Sequence, residues 1–298
     1  MRRGRRRGGF LGLKSSARAG RSEGRATLRC MTVGQDEAVK ANFEMVTDVT
    51  VVMLTRGETT GSLGSGVLLA ANSGRAYVLT AAHTFEGRDW RPVLLGATDQ
   101  QRPGKLKTFR DAVVDVLLAP RWRGRDVDVA LLSLSDEADR VLRLVALGCE
   151  SIAEDAMQDV ERPGMVSGYP GEKVSKARGP GNIVELDPGL VHYNTVALGV
   201  DEKGQLRIGW EPSPPPSRRF NHDFSASVVD SPLVDPSGMS GGGFWKYVDA
   251  RPGEVWSARR HGRLVGVMVS WNDVRRTEAQ VESVESFGEW LRRELSAR

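Results

Sequence analysis

The feature that most constrains the fold is a long succession of short apolar runs, closed by turns rich in glycine, asparagine or serine. Residues 67–70, a turn at Asn72-Ser73-Gly74 and residues 76–80 make a strand–turn–strand unit. Residues 92–95, 112–118 and 127–134 continue the pattern. Residues 43–54 open as alternation and close as an apolar run, which reads as a strand ahead of them, with residues 61–66 a turn-rich break. No segment before residue 135 carries a strong helical period.

Residues 136–160 lose the alternation and read as a linker that can hold a helical turn, between two similar halves. The strand pattern resumes at Gly164-Met165-Val166-Ser167-Gly168-Tyr169-Pro170. It runs on through 181–186, 190–198, 206–210, 228–233 and the strongly apolar 264–271. The proline-rich stretch 212–219 cannot join a central ladder and is expected as an exposed loop. From Ala279 to Leu295 the period changes: Val281, Val284, Phe287, Trp290, Leu291 and Leu295 recur at helical spacing. The expected fold is therefore all-β, two packed antiparallel β-barrels with a C-terminal amphipathic helix. Its divisions are a basic, disordered extension over 1–42, a folded domain over 43–280 and the helix over 281–298. Within the domain, 43–135 form the first barrel, 136–160 the linker and 161–280 the second barrel.

The net charge of +4 hides a split. The first thirty residues hold ten Lys/Arg against one acid, Glu23, a local balance of +9, so residues 31–298 carry about −5. The arginine-rich segment reads as a disordered extension, a targeting segment or a nucleic-acid arm. Nucleic acid is a partner only if that arm is genuine. Its short apolar stretch at residues 10–13 falls well below a secretory signal, and no apolar run is long enough for a transmembrane helix. Cys30 and Cys149 form no CxxC pattern, so a structural disulfide is not expected. A cytoplasmic location follows as the expectation. Four scattered histidines and two distant cysteines give no metal-ligand spacing, so neither metal nor cofactor is expected.

Three stretches carry chemistry. They are Thr80-Ala81-Ala82-His83, then Asp128-Val129-Ala130-Leu131-Leu132, then Gly238-Met239-Ser240-Gly241-Gly242. A serine hydroxyl becomes a useful nucleophile only beside a base, and histidine can serve near neutral pH. A carboxylate on the far ring nitrogen fixes the tautomer. Ser240, His83 and Asp128 are the candidates, in the order His…Asp…Ser of one known triad lineage. Asp126 is the rival carboxylate, two residues nearer the polar Arg123-Gly124-Arg125 turn. Glycines around Ser240 permit a tight turn that aims the Gly238 and Ser240 amides at a developing oxyanion.

These motifs resemble the trypsin/chymotrypsin-like serine peptidases, of a bacterial or intracellular type. The resemblance implies a serine endopeptidase acting on protein or peptide substrates through an acyl-enzyme. The alternative on the same fold is a catalytically inactive binding or scaffold protein. Ser270-Trp271 resembles the family's strand that pairs with extended substrate. Asn272 stands where the family usually has glycine lining the primary pocket, and Val234 offers no acid there. A pocket for small apolar residues is expected. Met239 occupies the place of the aspartate that captures a new N-terminus in secreted members, so other contacts must order the oxyanion loop.

Overall fold

The structure, a computed structural model, describes residues 40–55, 62–85, 92–101, 105–155, 163–171, 174–178, 184–210, 219–220, 226–227, 235–249, 256–271 and 277–298. The basic segment 1–30, most of the proline-rich stretch and the expected strand at 228–233 lie outside these residues.

The first described element is a helix, α1, over residues 40–49, where the sequence suggested a strand. Lys40, Glu44 and Asp48 recur every four residues on its outer side, and Lys40 Nζ lies 3.9 Å from Glu44 Oε1. Asn42, Phe43, Met45, Val46 and Val49 are buried. That apolar stripe has a helical period, and a few residues of alternation coincide with it over one turn. Thr50 Oγ1 donates to the Val46 carbonyl (2.7 Å), where helix gives way to strand.

Seven antiparallel strands follow: β1 (Thr50–Thr55), β2 (Ser62–Ala70), β3 (Ala76–Thr80), β4 (Pro92–Thr98), β5 (Leu106–Arg110), β6 (Val113–Leu118) and β7 (Ala130–Leu134). They pair in the order β5-β4-β1-β2-β3-β7-β6. The presumed break at residues 61–66 is mostly part of β2. A Cβ at Gly66 would come 2.4 Å from Val78 Cγ1 and 3.1 Å from Val51 Cγ2. Glycine here admits both neighbouring strands rather than ending the strand.

The segment after β7 holds a short helix, α2 (Asp136–Leu142), and a single 3₁₀ turn at Cys149–Ser151. Cys149 is a free thiol whose pKa is pushed up by burial, and Cys30 lies outside the described residues.

The second half contributes β8 (Gly164–Gly168), β9 (Val174–Arg178), β10 (Val184–Pro188), β11 (Val191–Thr195), β12 (Ala197–Val200) and β13 (Leu206–Gly209). It adds β14 (Arg219–Phe220), β15 (Ala226–Ser227), β16 (Gly243–Tyr247), β17 (Gly262–Trp271) and β18 (Glu278–Ser283). Seven of these form a second antiparallel sheet ordered β11-β8-β16-β17-β18-β13-β12, while β9–β10 and β14–β15 are separate two-stranded ribbons. The single strand expected over 190–198 is two, because the chain pairs with β8 up to Thr195 and with β13 from Ala197.

A short helix, α3 (Ala258–His261), precedes β17. The terminal helix, α4 (Val284–Ala297), starts later than the sequence suggested. Residues 279–283 belong to β18, paired to β17 on one side and β13 on the other. Ala279 and Val281 alternate into the core there. Ser283 then caps the helix, its Oγ accepting from the Glu285 N–H at 3.1 Å. Both seven-stranded sheets, α1 and α4 contribute to one continuous apolar core. The fold is all-β: two curled antiparallel sheets with a C-terminal helix. No helix among the described residues is long and apolar enough to cross a membrane.

Candidate active site

The fully buried strand β3 ends at Thr80, and Ala81 leads into a 3₁₀ turn over Ala82–Phe85 that carries His83. Small residues at 81 and 82 leave room for the imidazole to lie along the strand end. Asp128 sits between buried Val127 and Val129, and the Val129 N–H donates back to the Val127 carbonyl (2.9 Å). This three-residue turn throws the Asp128 side chain out of the strand line. Its Oδ1 accepts the His83 backbone N–H at 2.8 Å, and its Oδ2 lies 2.6 Å from His83 Nδ1. A carboxylate can only accept, so the shared proton belongs to Nδ1 and a neutral imidazole keeps its lone pair on Nε2. Asp126 is elsewhere: its carboxylate pairs with Arg121 Nε at 2.8 Å and is 85% exposed.

Ser240 lies in the second of two consecutive tight turns. The Met239 N–H donates to the Pro236 carbonyl and the Gly242 N–H to the Met239 carbonyl, each at 2.8 Å. Gly238 and Gly241, the third residue of each turn, have φ of +96° and +90°, a conformation that only glycine adopts without strain. Space forbids a side chain as well, since a Cβ at Gly241 would lie 1.9 Å from the Ser65 carbonyl oxygen. Among the described residues, neither the Gly238 nor the Ser240 amide has a hydrogen-bond acceptor. Two uncommitted N–H groups beside a serine hydroxyl can receive an anionic oxygen.

The histidine and serine turns meet on β2. A Cβ at Gly64 would stand 3.2 Å from Thr84 Cγ2 and 3.7 Å from the Ser240 carbonyl oxygen. Next to it, buried Ser65 uses every polar group it has. Its N–H donates to the Ser240 carbonyl (2.7 Å), and its carbonyl accepts from Thr80 Oγ1 (2.7 Å). Its hydroxyl donates to the Gly238 carbonyl (3.0 Å) and accepts from the Tyr169 N–H (2.8 Å). Sequence reasoning missed Ser65; the available signal was a Gly-Ser-Gly interruption within an otherwise apolar strand. Met239 is fully buried, so apolar packing and Ser65 order this loop. No hydrogen bond joins the Ser240 hydroxyl to His83 among the described residues. Such bonds often tighten only when substrate arrives.

Ser270 and Trp271 end β17, beyond the last residue of β17 paired with β16, Val267. The strand's other edge stays paired, with Ser270 opposite Gln280 and Trp271 opposite Ala279. The Ser270 hydroxyl donates to Gln280 Oε1. The expected pocket residues Asn272 and Val234 lie outside the described residues. No group of three or more His, Cys, Asp or Glu among the described residues could hold a metal ion.

No curated protein matches the chain in sequence. Among solved structures it is similar to the serine endoprotease from Yersinia pestis, at 13% identity and a TM-score of 0.48. That match covers 86% of this chain and 65% of the other, so the chain spans just under two thirds of that protein. It is also similar to the thermostable serine protease AL20 from an extremophilic microorganism, at 13% identity and a TM-score of 0.46, covering 83% of this chain and 96% of that one. The family model described as Trypsin matches residues 33–189, which hold His83 and Asp128 and stop short of Ser240. That match spans more than half of the sequence, and the chain belongs to the trypsin family.

Proposed function

We propose that the protein is a serine endopeptidase in which Ser240 is the nucleophile, His83 the general base and then acid, and Asp128 the group that orients His83. The observation that carries this is the two-point attachment of His83 to Asp128, at 2.8 and 2.6 Å, beside a glycine turn whose Gly238 and Ser240 amides have no acceptor among the described residues. His83 Nε2 takes the hydroxyl proton as Ser240 Oγ bonds to the scissile carbonyl carbon. The carbonyl π pair moves onto its oxygen, which the Gly238 and Ser240 N–H groups receive. Collapse of the tetrahedral adduct breaks the C–N bond, and the leaving amine takes the proton from His83. Water then repeats the sequence on the acyl-enzyme and frees Ser240. Extended substrate pairs with the edge of β17 at Ser270 and Trp271 that has no partner strand among the described residues, as in strand addition. Asn272 and Val234 shape a primary pocket for small apolar side chains.

A peptide-library digest with the full-length protein tests this. Cleavage of internal bonds after small apolar residues, abolished by Ser240→Ala, is the expected result. A folded wild-type protein that cleaves nothing would leave a non-catalytic binding protein on the same fold.

A further inference from the structure

The turn that carries Asp128 is attached to the opposite sheet at two points. Trp122 and Arg125 close the tip of the β6–β7 connection by donating to each other's carbonyls, at 2.9 and 3.1 Å. Trp122 packs on Gly204 in the β12–β13 turn, where φ is +78° and a Cβ would come 2.8 Å from the indole. Arg125, three residues before Asp128, crosses to Glu282 on β18 as a two-pronged pair: Nη2 to Oε1 at 2.5 Å and Nη1 to Oε2 at 2.9 Å. The Glu282 side chain is fully buried and the Arg125 side chain is 20% exposed. This hydrogen bond raises the Arg125 pKa despite the opposing effect of burial.

Glu282 has no spare capacity. Gln205 Nε2 (3.0 Å) and Ser286 Oγ (2.5 Å) donate to its remaining lone pairs. Gln205 is held by Asp201, whose Oδ1 accepts the Gln205 N–H at 2.8 Å. Asp201 Oδ2 accepts from Gln280 Nε2 at 3.4 Å, and Gln280 accepts from the Ser270 hydroxyl. A continuous polar network thus runs from the turn before Asp128 to the proposed substrate strand. A buried carboxylate with four donors has one satisfactory arrangement, so it defines a position rather than merely adding adhesion.

We infer that Arg125 and Glu282 are positioning residues: their ion pair fixes the Asp128 turn of the first sheet in register with the Ser270 strand of the second. The inference rests on the peptidase reading, because the position matters only if Asp128 orients a working histidine. Arg125 and Glu282 touch no reacting atom. They act through Asp128, and a carboxylate displaced by about 1 Å can cost on the order of 10²-fold in rate.

The test uses the full-length protein, a fluorophosphonate probe and two readouts, the probe's kinact and KI and the far-downfield proton resonance of His83 Nδ1. Arg125→Gln should lower kinact by about 10²-fold with KI unchanged and lose the resonance, and Arg125→Lys should recover part of both. Arg125→Gln leaves a buried carboxylate unpaired and can fail to fold. The double variant Arg125→Met/Glu282→Met, which removes both charges at similar volume, keeps the test decisive. A folded double variant with wild-type kinact and an intact resonance overturns the inference. If the probe does not modify the wild-type protein, the peptidase reading fails. The resonance alone then decides whether the ion pair positions Asp128.

Discussion

The two halves of the candidate site are assembled in different ways. His83 and Asp128, 45 residues apart, belong to one sheet and are joined directly by two short hydrogen bonds. Ser240 belongs to the other sheet, and its turn is shaped by contacts from both. The Gly241 N–H donates to Met268 in its own sheet (2.7 Å), while Ser65 of the first sheet binds the carbonyls of Gly238 and Ser240. An orienting pair can be built within one hydrogen-bonded ladder. The position of Ser240 is a property of the junction. Damage where Ser65 meets the serine turn should therefore move the serine and its amides while leaving the histidine–aspartate pair intact, whereas loss of the Arg125–Glu282 pair should disturb Asp128 instead.

The largest effects should come from the proposed reacting groups. Ser240→Ala and His83→Ala should each lower peptide hydrolysis on the order of 10⁶-fold, and Asp128→Asn about 10⁴-fold, measured as kcat on the best library peptide. Melting temperatures near wild type would establish that folding is not the cause.

Gly241→Ala should come next and separates the halves most cleanly. The added Cβ collides with the Ser65 carbonyl in a backbone conformation already unfavourable to alanine. Displacing the adjacent amides should cost about 10²–10³-fold in kcat. The downfield His83 resonance should survive. Its disappearance would show that the two halves are not independently built.

Ser65→Ala should be milder. It leaves the buried Tyr169 N–H and Gly238 carbonyl without their shared hydroxyl, at a cost of about 1–3 kcal/mol in unfolding free energy. A measurable loss of kcat, with KM little changed, is expected because Gly238 carries one of the proposed oxyanion donors. Denaturant unfolding and steady-state kinetics check both.

Ser283→Ala should have the smallest effect. Removing the α4 cap costs about 1 kcal/mol, which is about 2–4 °C in Tm for a domain of this size. Activity should not change. A parallel loss of activity would mean that general stability, and not the junction, governs the site.

What the sequence disclosed follows the same division. β3 and β7 were legible because hydrophobic runs and turn residues are local signals, and the motifs on them were legible with them. The tight turn at Ser240 was legible because positive φ demands glycine at positions 238 and 241. Two boundaries were misread where periods overlap. Residues 43–47 alternate for a moment inside a helix, and Val281 falls on the α4 period while packing as strand. The roles of Ser65, Arg125 and Glu282 were not readable, the Gly-Ser-Gly interruption marking only the place of Ser65, because each acts through a partner far away in sequence: 173 residues for Ser65 to Gly238 and 157 for Arg125 to Glu282. Arg125 looked like an ordinary charged turn residue, and Glu282 like part of a polar helix face.

The most direct measurement is mass-spectrometric mapping of the fluorophosphonate-treated full-length protein. One adduct, on Ser240, formed by the wild type and absent from the His83→Ala variant, is the predicted result. A folded wild-type protein that acquires no adduct, or acquires it at another residue, would contradict the assignment of Ser240 and His83 as a working pair.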